Sequence, residues 1–196
     1  MLDRAASRSG IQAHFSESAA VKLRTAETCA DAILDAADLL IASFRAGGKL
    51  LLCGNGGSAA DCQHLAAEFT SRLSREFERP AIPAIALTTD TSFITAFAND
   101  IHYEGIFSRQ VEALGRPGDV LLGISTSGNS KNVLLAVQEA KKRALKTIGL
   151  SGAGGMLPEV VDVGIRVPST DTQHIQESHL AVEHLLAMLV ERALYA

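Results

Sequence analysis

The chain has 196 residues, 47% of them hydrophobic and 20% charged, and carries a net charge of −4 at neutral pH. That length suffices for one domain with its own core, and an acidic balance with no basic stripe of interleaved aromatics argues against nucleic acid as a partner. The opening MLDRAASRSG lacks the apolar centre of a signal peptide and no apolar run approaches a membrane span, so the expected location is cytoplasmic, with no membrane partner.

A single domain is expected over residues 1–196, with a polar leader over 1–10, N-terminal helices over 11–46 and an α/β sandwich over 49–196. From Ile11 to Arg45 the residues Val21, Leu23, Ile33, Leu34, Ala37, Leu40 and Ile41 recur at helical spacing, and Gly47-Gly48 stops the pattern. One long helix or two joined helices fit it. Five short apolar runs follow: Leu50 to Cys53, Pro83 to Leu87, Val120 to Ile124, Lys146 to Leu150 and Val163 to Val167. Helical patterns lie between most of them, at Ser58 to Leu73, Tyr103 to Leu114 and Lys131 to Arg143, and a last helix is expected from Thr172 to Leu194. Apolar runs without strict alternation, separated by helices, predict a parallel sheet covered on both faces, a doubly wound α/β sandwich. Three cysteines, Cys29, Cys53 and Cys62, are odd in number and form no CxxC pair, so they read as buried apolar positions.

In a doubly wound sheet the ligand sits outside the carboxyl ends of the strands. Small polar or glycine loops stand there after the first, third and fourth runs: GNGGS, STSGNS and SGAGG. With a strand order of 2-1-3-4-5 the first two would face each other across one crevice. Gly54-x-Gly56-x-x-Ala59 meets a relaxed dinucleotide fingerprint, but the acidic residue that should hold a ribose at the end of the second strand is too far along, near Asp90. The turn Ser125 to Ser130 brings four hydroxyls, Ser125, Thr126, Ser127 and Ser130, to the start of a helix. Capping that helix needs one hydroxyl, so four point to a phosphate held by neutral donors and the helix dipole. A phosphate held without Arg or Lys is a handle, and the chemistry lies elsewhere on the substrate.

His64 and Glu68 stand four residues apart, on one face of their helix. In the last helix Gln176 is followed by His179 and His184, about 60° one way and about 80° the other around the axis, so spacing does not choose between the two. Glu177, Glu183 and His174 read as solvated, and Leu180, Leu185 and Leu186 as packing. Two imidazoles, a carboxylate and an amide oxygen would suit a divalent first-row metal, although spacing alone does not establish one.

Four stretches, CGNGGSAADCQHLAAEF, ERPAIPAIALTTD, AFANDIHYEGIFSRQVEALGRPGDVLLGISTSGNSKN and VPSTDTQHIQESHLAVEH, together resemble the phosphoheptose isomerases of the sugar isomerase (SIS) fold family. The resemblance runs over nearly the whole chain from His14. It implies a five-stranded parallel flavodoxin-like sheet and a homotetramer with active sites at subunit contacts. It also implies one Zn²⁺ per subunit held by His64, Glu68, Gln176 and His184, and it selects His184 over His179. Glu68 and His184 match the catalytic base and acid; Asn55, Gly56, Gly57, Ser58, Glu68, Asn99, Asp100, Ser125, Thr126, Ser127, Ser130 and Gln176 match the substrate-binding positions. The implied reaction converts sedoheptulose 7-phosphate to a manno-heptose 7-phosphate, towards the heptose of lipopolysaccharide. The alternatives are a non-catalytic relative that binds the replication initiator DnaA, and an isomerase of another sugar phosphate. One departure is DTQHIQE, where many relatives read DTPKIQE, so no proline starts the last helix.

Overall fold

The computed structural model describes residues 2–196, so Met1 of the expected leader lies outside them. Helix α1 runs unbroken over Arg4–Arg45, and most of the stretch expected as a leader is its first turns. Asp3 caps it, its carboxylate accepting from the backbone N–H groups of Ala5 at 3.0 Å and Ala6 at 3.2 Å. At the other end Gly47, at φ +82°, takes the chain out of the helix in a conformation other residues avoid.

Strands β1 (Leu50–Gly54), β2 (Ala84–Ala86), β3 (Val120–Ser125), β4 (Lys146–Ser151) and β5 (Val163–Arg166) form one parallel sheet in the order β2-β1-β3-β4-β5. Connections of this kind must cross over, and the helices that make them cover both faces. Helices α1, α2 (Gly57–Thr70) and α7 (Thr172–Tyr195) pack on Leu50, Leu52, Leu122 and Ile148. On the opposite face α4 (Ile106–Leu114), α5 (Lys131–Lys142) and α6 (Leu157–Val160) pack on Leu51 and Leu121. The alternation of Leu50, Leu51 and Leu52 between two cores is the period of two of a strand, and each buried leucine contributes about 1.5–3 kcal/mol. All three cysteines are buried in these layers, and burial pushes the Cys53 thiol up to about 12.

Helix α3 (Thr91–Asp100) has no buried residue, and α6 is four residues long. Each sets apolar side chains against the core, Ile94, Phe97 and Ala98 from α3 and Leu157 from α6, but over too few turns for periodicity to reveal the helix. The pattern expected as one helix over Tyr103 to Leu114 starts as a 3₁₀ turn, Tyr103–Gly105, before α4. On α7 the expected solvated positions are corrected: His174 is 8% exposed and Glu183 fully buried, whereas Leu185, expected to pack, is 42% exposed. The cause is that α7 lies between α1 and α2 and is covered on both flanks, so the arc hidden from water is wider than one apolar stripe. With Gln173 where many relatives carry a proline, Asp171 caps the start of α7, its Oδ1 accepting from Gln173 N–H at 2.9 Å and His174 N–H at 3.3 Å.

Candidate active site

Gly54 and Ile124 are aligned across β1 and β3, so the two loops that follow leave the same edge of the sheet side by side. Their side chains join at once. Asn55 donates from Nδ2 to Asn132 Oδ1 at 2.9 Å, and Asn132 donates back from its own Nδ2 to Asn55 Oδ1 at 2.8 Å. The Tyr103 hydroxyl adds a third bond, to Asn55 Oδ1, at 2.8 Å. Spacing pointed to neither Asn132 nor Tyr103, because a cross-loop amide pair has no sequence period; Asn132 closes the STSGNSKN stretch and is 3% exposed.

Glycine is required at two points of the first loop. Gly56 stands at φ +56° at the N-cap of α2, and a Cβ on Gly57 would lie 2.3 Å from Gln176 Nε2. The bare backbone of Gly57 therefore lets the Gln176 amide rest on the first turn of α2. Ser58 is buried, with its carbonyl against Gly54.

In the second loop Ser125 Oγ lies 2.9 Å from Ser130 Oγ and 3.4 Å from Ser127 Oγ, while Ser127 Oγ accepts from Asn129 N–H at 3.2 Å. Ser130 is the N-cap of α5, yet its hydroxyl makes no capping bond. The hydroxyls thus face one another rather than the helix, at an N-terminus whose first turn holds no acid to offset the dipole. The SGAGG loop braces this turn from behind: a Cβ on Gly128 would meet Gly154 O at 2.5 Å, and one on Gly155 would meet Ser127 O at 2.3 Å. Bonds from Gly152 N–H to Thr126 O at 3.1 Å and from Leu157 N–H to Gly128 O at 2.9 Å complete the brace.

Two turns along α2, about 10 Å by helical rise, His64 and Glu68 meet His184 of α7. His64 Nε2 lies 2.8 Å from His184 Nε2 and 3.5 Å from Glu68 Oε1. One potential donor atom from each of the three lies within 4.8 Å of the others. Glu68 Oε2 is buried and has no hydrogen-bond partner. His179 is elsewhere, fully buried with both ring nitrogens unpartnered, and burial pushes it down to about 4. Asn99 and Asp100 end α3 on the surface and bond to each other, Asn99 Nδ2 to Asp100 Oδ1, at 2.7 Å.

Two further groups flank the cluster. Glu183 and Asp61 both carry buried oxygens without partners, and burial together with the charge of Asp61 pushes Glu183 up to about 8. Burial also raises Asp61, against the opposing pull of His64. Below them Arg79, wholly buried, plugs the C-terminal end of α2. It donates from Nη2 to Glu68 O at 2.7 Å, from Nη1 to Phe69 O at 2.9 Å and from Nε to Glu191 Oε2 of α7 at 3.1 Å.

The SIS domain family matches this chain over residues 13–152. The chain belongs to that family. Within it, the phosphoheptose isomerase of Rhodospirillum rubrum is 58% identical over 85% of this SIS chain and 88% of its own length. That of Roseiflexus sp. is 56% identical over 89% and 88%. Among solved structures, the phosphoheptose isomerase of Neisseria gonorrhoeae superposes with a TM-score of 0.89 at 42% identity, covering 94% of this chain and 98% of that one. These likenesses place it among the phosphoheptose isomerases of the SIS family.

The donor set fits a divalent ion. Two imidazole nitrogens facing each other at 2.8 Å, beside a carboxylate with a buried unpartnered oxygen, are satisfied together by a cation that takes a lone pair from each. Among the described residues no helix is long and apolar enough to cross a membrane.

Proposed function

We propose that the protein is an aldose–ketose isomerase that converts sedoheptulose 7-phosphate to a manno-heptose 7-phosphate in the cytoplasm. The observation that carries this reading is the meeting of His64, Glu68 and His184 two helical turns along α2 from the glycine loop, which leaves the sheet beside the hydroxyl-lined turn before α5. The turn supplies the phosphate grip, through Ser125, Thr126, Ser127 and Ser130. Asn55, Gly56, Gly57, Asn99, Asp100 and Gln176 complete the sugar site.

Isomerisation moves one proton from C1 to C2 of the open-chain ketose and changes no overall oxidation state. The proton leaves a weak carbon acid, so a base must sit beside it and the oxygen must be stabilised as charge develops. Glu68 is the base: its carboxylate takes the C1 proton, exchanges it with solvent and delivers a proton to C2. One of its oxygens lies towards His64 and the other has no partner, so one can be held while the other works. His184 carries protons at the sugar oxygens, its ring oriented by His64 at 2.8 Å. His64, Glu68, Gln176 and His184 would hold one Zn²⁺ per subunit, which when bound supplies electrophilic stabilisation of the developing oxyanion. Arg79 fixes the backbone of Glu68 and thereby the position of the base.

The protein works as a homotetramer with active sites at subunit contacts. Support comes from a surface a lone chain leaves wet: Ile11, Phe15, Leu23 and Leu34 along α1 are 51–70% exposed.

The test is incubation of the protein with sedoheptulose 7-phosphate in D₂O, followed by NMR, with and without a chelator. The expected result is an aldose phosphate carrying deuterium at C2, with turnover suppressed by the chelator. Recovery of unchanged ketose from metal-replete protein would overturn the reading.

A further inference from the structure

A second group of potential ligands stands apart from the cluster just described, at the crossing of α1 with the first turns of α7. His14 Nε2 lies 3.1 Å from Glu177 Oε1, and His174 Nδ1 lies 3.8 Å from Glu177 Oε2. The rings of His14 and His174 are 4.7 Å apart between centroids, and one donor atom from each of the three residues lies within 4.8 Å of the others. His174 is 8% exposed, and its Nδ1 is buried with no hydrogen-bond partner.

That nitrogen is the informative atom. A buried imidazole nitrogen without a partner forgoes about 1–3 kcal/mol, and such orphans are rare unless something occupies the space in front of them. What lies in front of it is a carboxylate already turned to face a second imidazole. Ser18 donates to Glu177 Oε2, which sets the plane of the carboxylate and leaves Oε1 towards His14. A ligating group held by an outer hydrogen bond is the arrangement that metal centres use to orient their donors.

We propose that His14, His174 and Glu177 form a second binding site, for a divalent first-row transition cation. Two imidazoles and one carboxylate, half open to water, match the donor set of a three-ligand centre completed by solvent. Lys22 is the built-in competitor: its Nζ lies 3.4 Å from Glu177 Oε2. Its side chain is 39% exposed, so it swings into water by giving up that ion pair and its bond to the Ser18 hydroxyl. The ion would pin α1 to the turn of α7 that carries Gln176. This site does not rest on the isomerase reading and stands or falls separately.

The experiment uses metal-stripped full-length protein titrated with Zn²⁺ or Ni²⁺ alone, with bound metal counted by mass spectrometry and melting followed in parallel. In a His64→Ala/His184→Ala background, which removes the first cluster, one ion per chain should remain and should raise Tm. Adding His14→Ala to that background should abolish both the ion and the shift. Lys22→Met should tighten binding about fivefold to tenfold by removing a neighbouring positive charge. His14→Ala in the native background, a change at a half-exposed position, controls for folding and should lose one equivalent while keeping turnover. The proposal is overturned if the His64→Ala/His184→Ala protein binds no ion, or if His14→Ala leaves both stoichiometry and Tm shift unchanged.

Discussion

The two ends of the contact between α2 and α7 are built on opposite rules. At the lower end the buried Arg79 spends its donors on Glu191 and on the carbonyls of Glu68, Phe69 and Pro80, so the charge is paired and the end of α2 is closed. Further up, Glu68, Asp61 and Glu183 all keep buried oxygens with no partner, and two imidazoles face each other beside the Glu68 carboxylate. A fold has every reason to satisfy buried polar atoms, as it does around Arg79. Unsatisfied ones gathered at one end of a helix pair are the pattern expected where stability is given up for chemistry, which is the role proposed for this end.

The sharpest way to break this contrast is to change one residue at each end. Glu68→Gln keeps shape and removes the base, so turnover should fall by about 10²–10⁴-fold while Tm and binding of the phosphorylated ketose hold. Assays at matched metal content check it, and near-normal turnover would remove Glu68 as the base. Arg79→Ala does the reverse in order of cause: it strands Glu191, 3% exposed, as an unpaired buried charge, and should lower stability by about 3–5 kcal/mol in denaturant melts. A paired Arg79→Met/Glu191→Leu change should recover much of that loss. Lower activity in this recovered protein would then report the guanidinium's hold on the Glu68 carbonyl.

Gly57→Ala tests the upper end with a single methyl. Its carbon would need the space 2.3 Å from Gln176 Nε2, so the amide must move while the helix, which tolerates alanine, stays. A displacement near 1 Å costs up to about 100-fold in rate, and kcat/KM should drop by about tenfold to 100-fold with Tm nearly unchanged. Ser127→Ala should act more gently, raising KM severalfold with little effect on kcat, because the phosphate turn grips a group that does not react. Both are read from steady-state kinetics on the heptose phosphate, and an unmoved KM in Ser127→Ala would detach the serine turn from the phosphate.

Much of the fold is legible in the sequence. Five apolar runs without alternation announce a parallel sheet, and the glycine and serine loops after the first and third mark the crevice, because strand burial and loop chemistry leave period and composition signals. Asn132 and Tyr103 were not legible, since their bonds to Asn55 join positions 48 and 77 residues apart with no local pattern. Nor was the burial of Glu183 and His174: polarity assigns them to water, and only the flanking of α7 by two helices hides them. The choice between His179 and His184 was open on spacing. The rotation of α7 about its axis, fixed by Val182, Leu186 and Val190 in the core, puts His184 towards His64 and His179 inward. Arg79 leaves no sequence signal because it sits in an irregular connection, where a charged residue reads as solvated.

The smallest effect per step concerns Glu183. Its folded pKa is raised to about 8 from an ordinary 4.5, first by burial and then by the charge of Asp61. Between those values the native state keeps a proton that the unfolded chain has released. Stability from this group is therefore full below pH 4.5 and is lost as pH rises through 8, at no more than about 1.4 kcal/mol per pH unit. Glu183→Gln retains the neutral, hydrogen-bonding shape of the protonated acid and has nothing to titrate. In metal-free buffer the Tm of the wild type should fall relative to that of the variant from pH 5 to pH 8, and the two curves should converge in acid. Parallel curves over that range would mean that the carboxyl is ionised in the native state. The unsatisfied end of the helix pair would then hold a buried negative charge rather than a protonated acid.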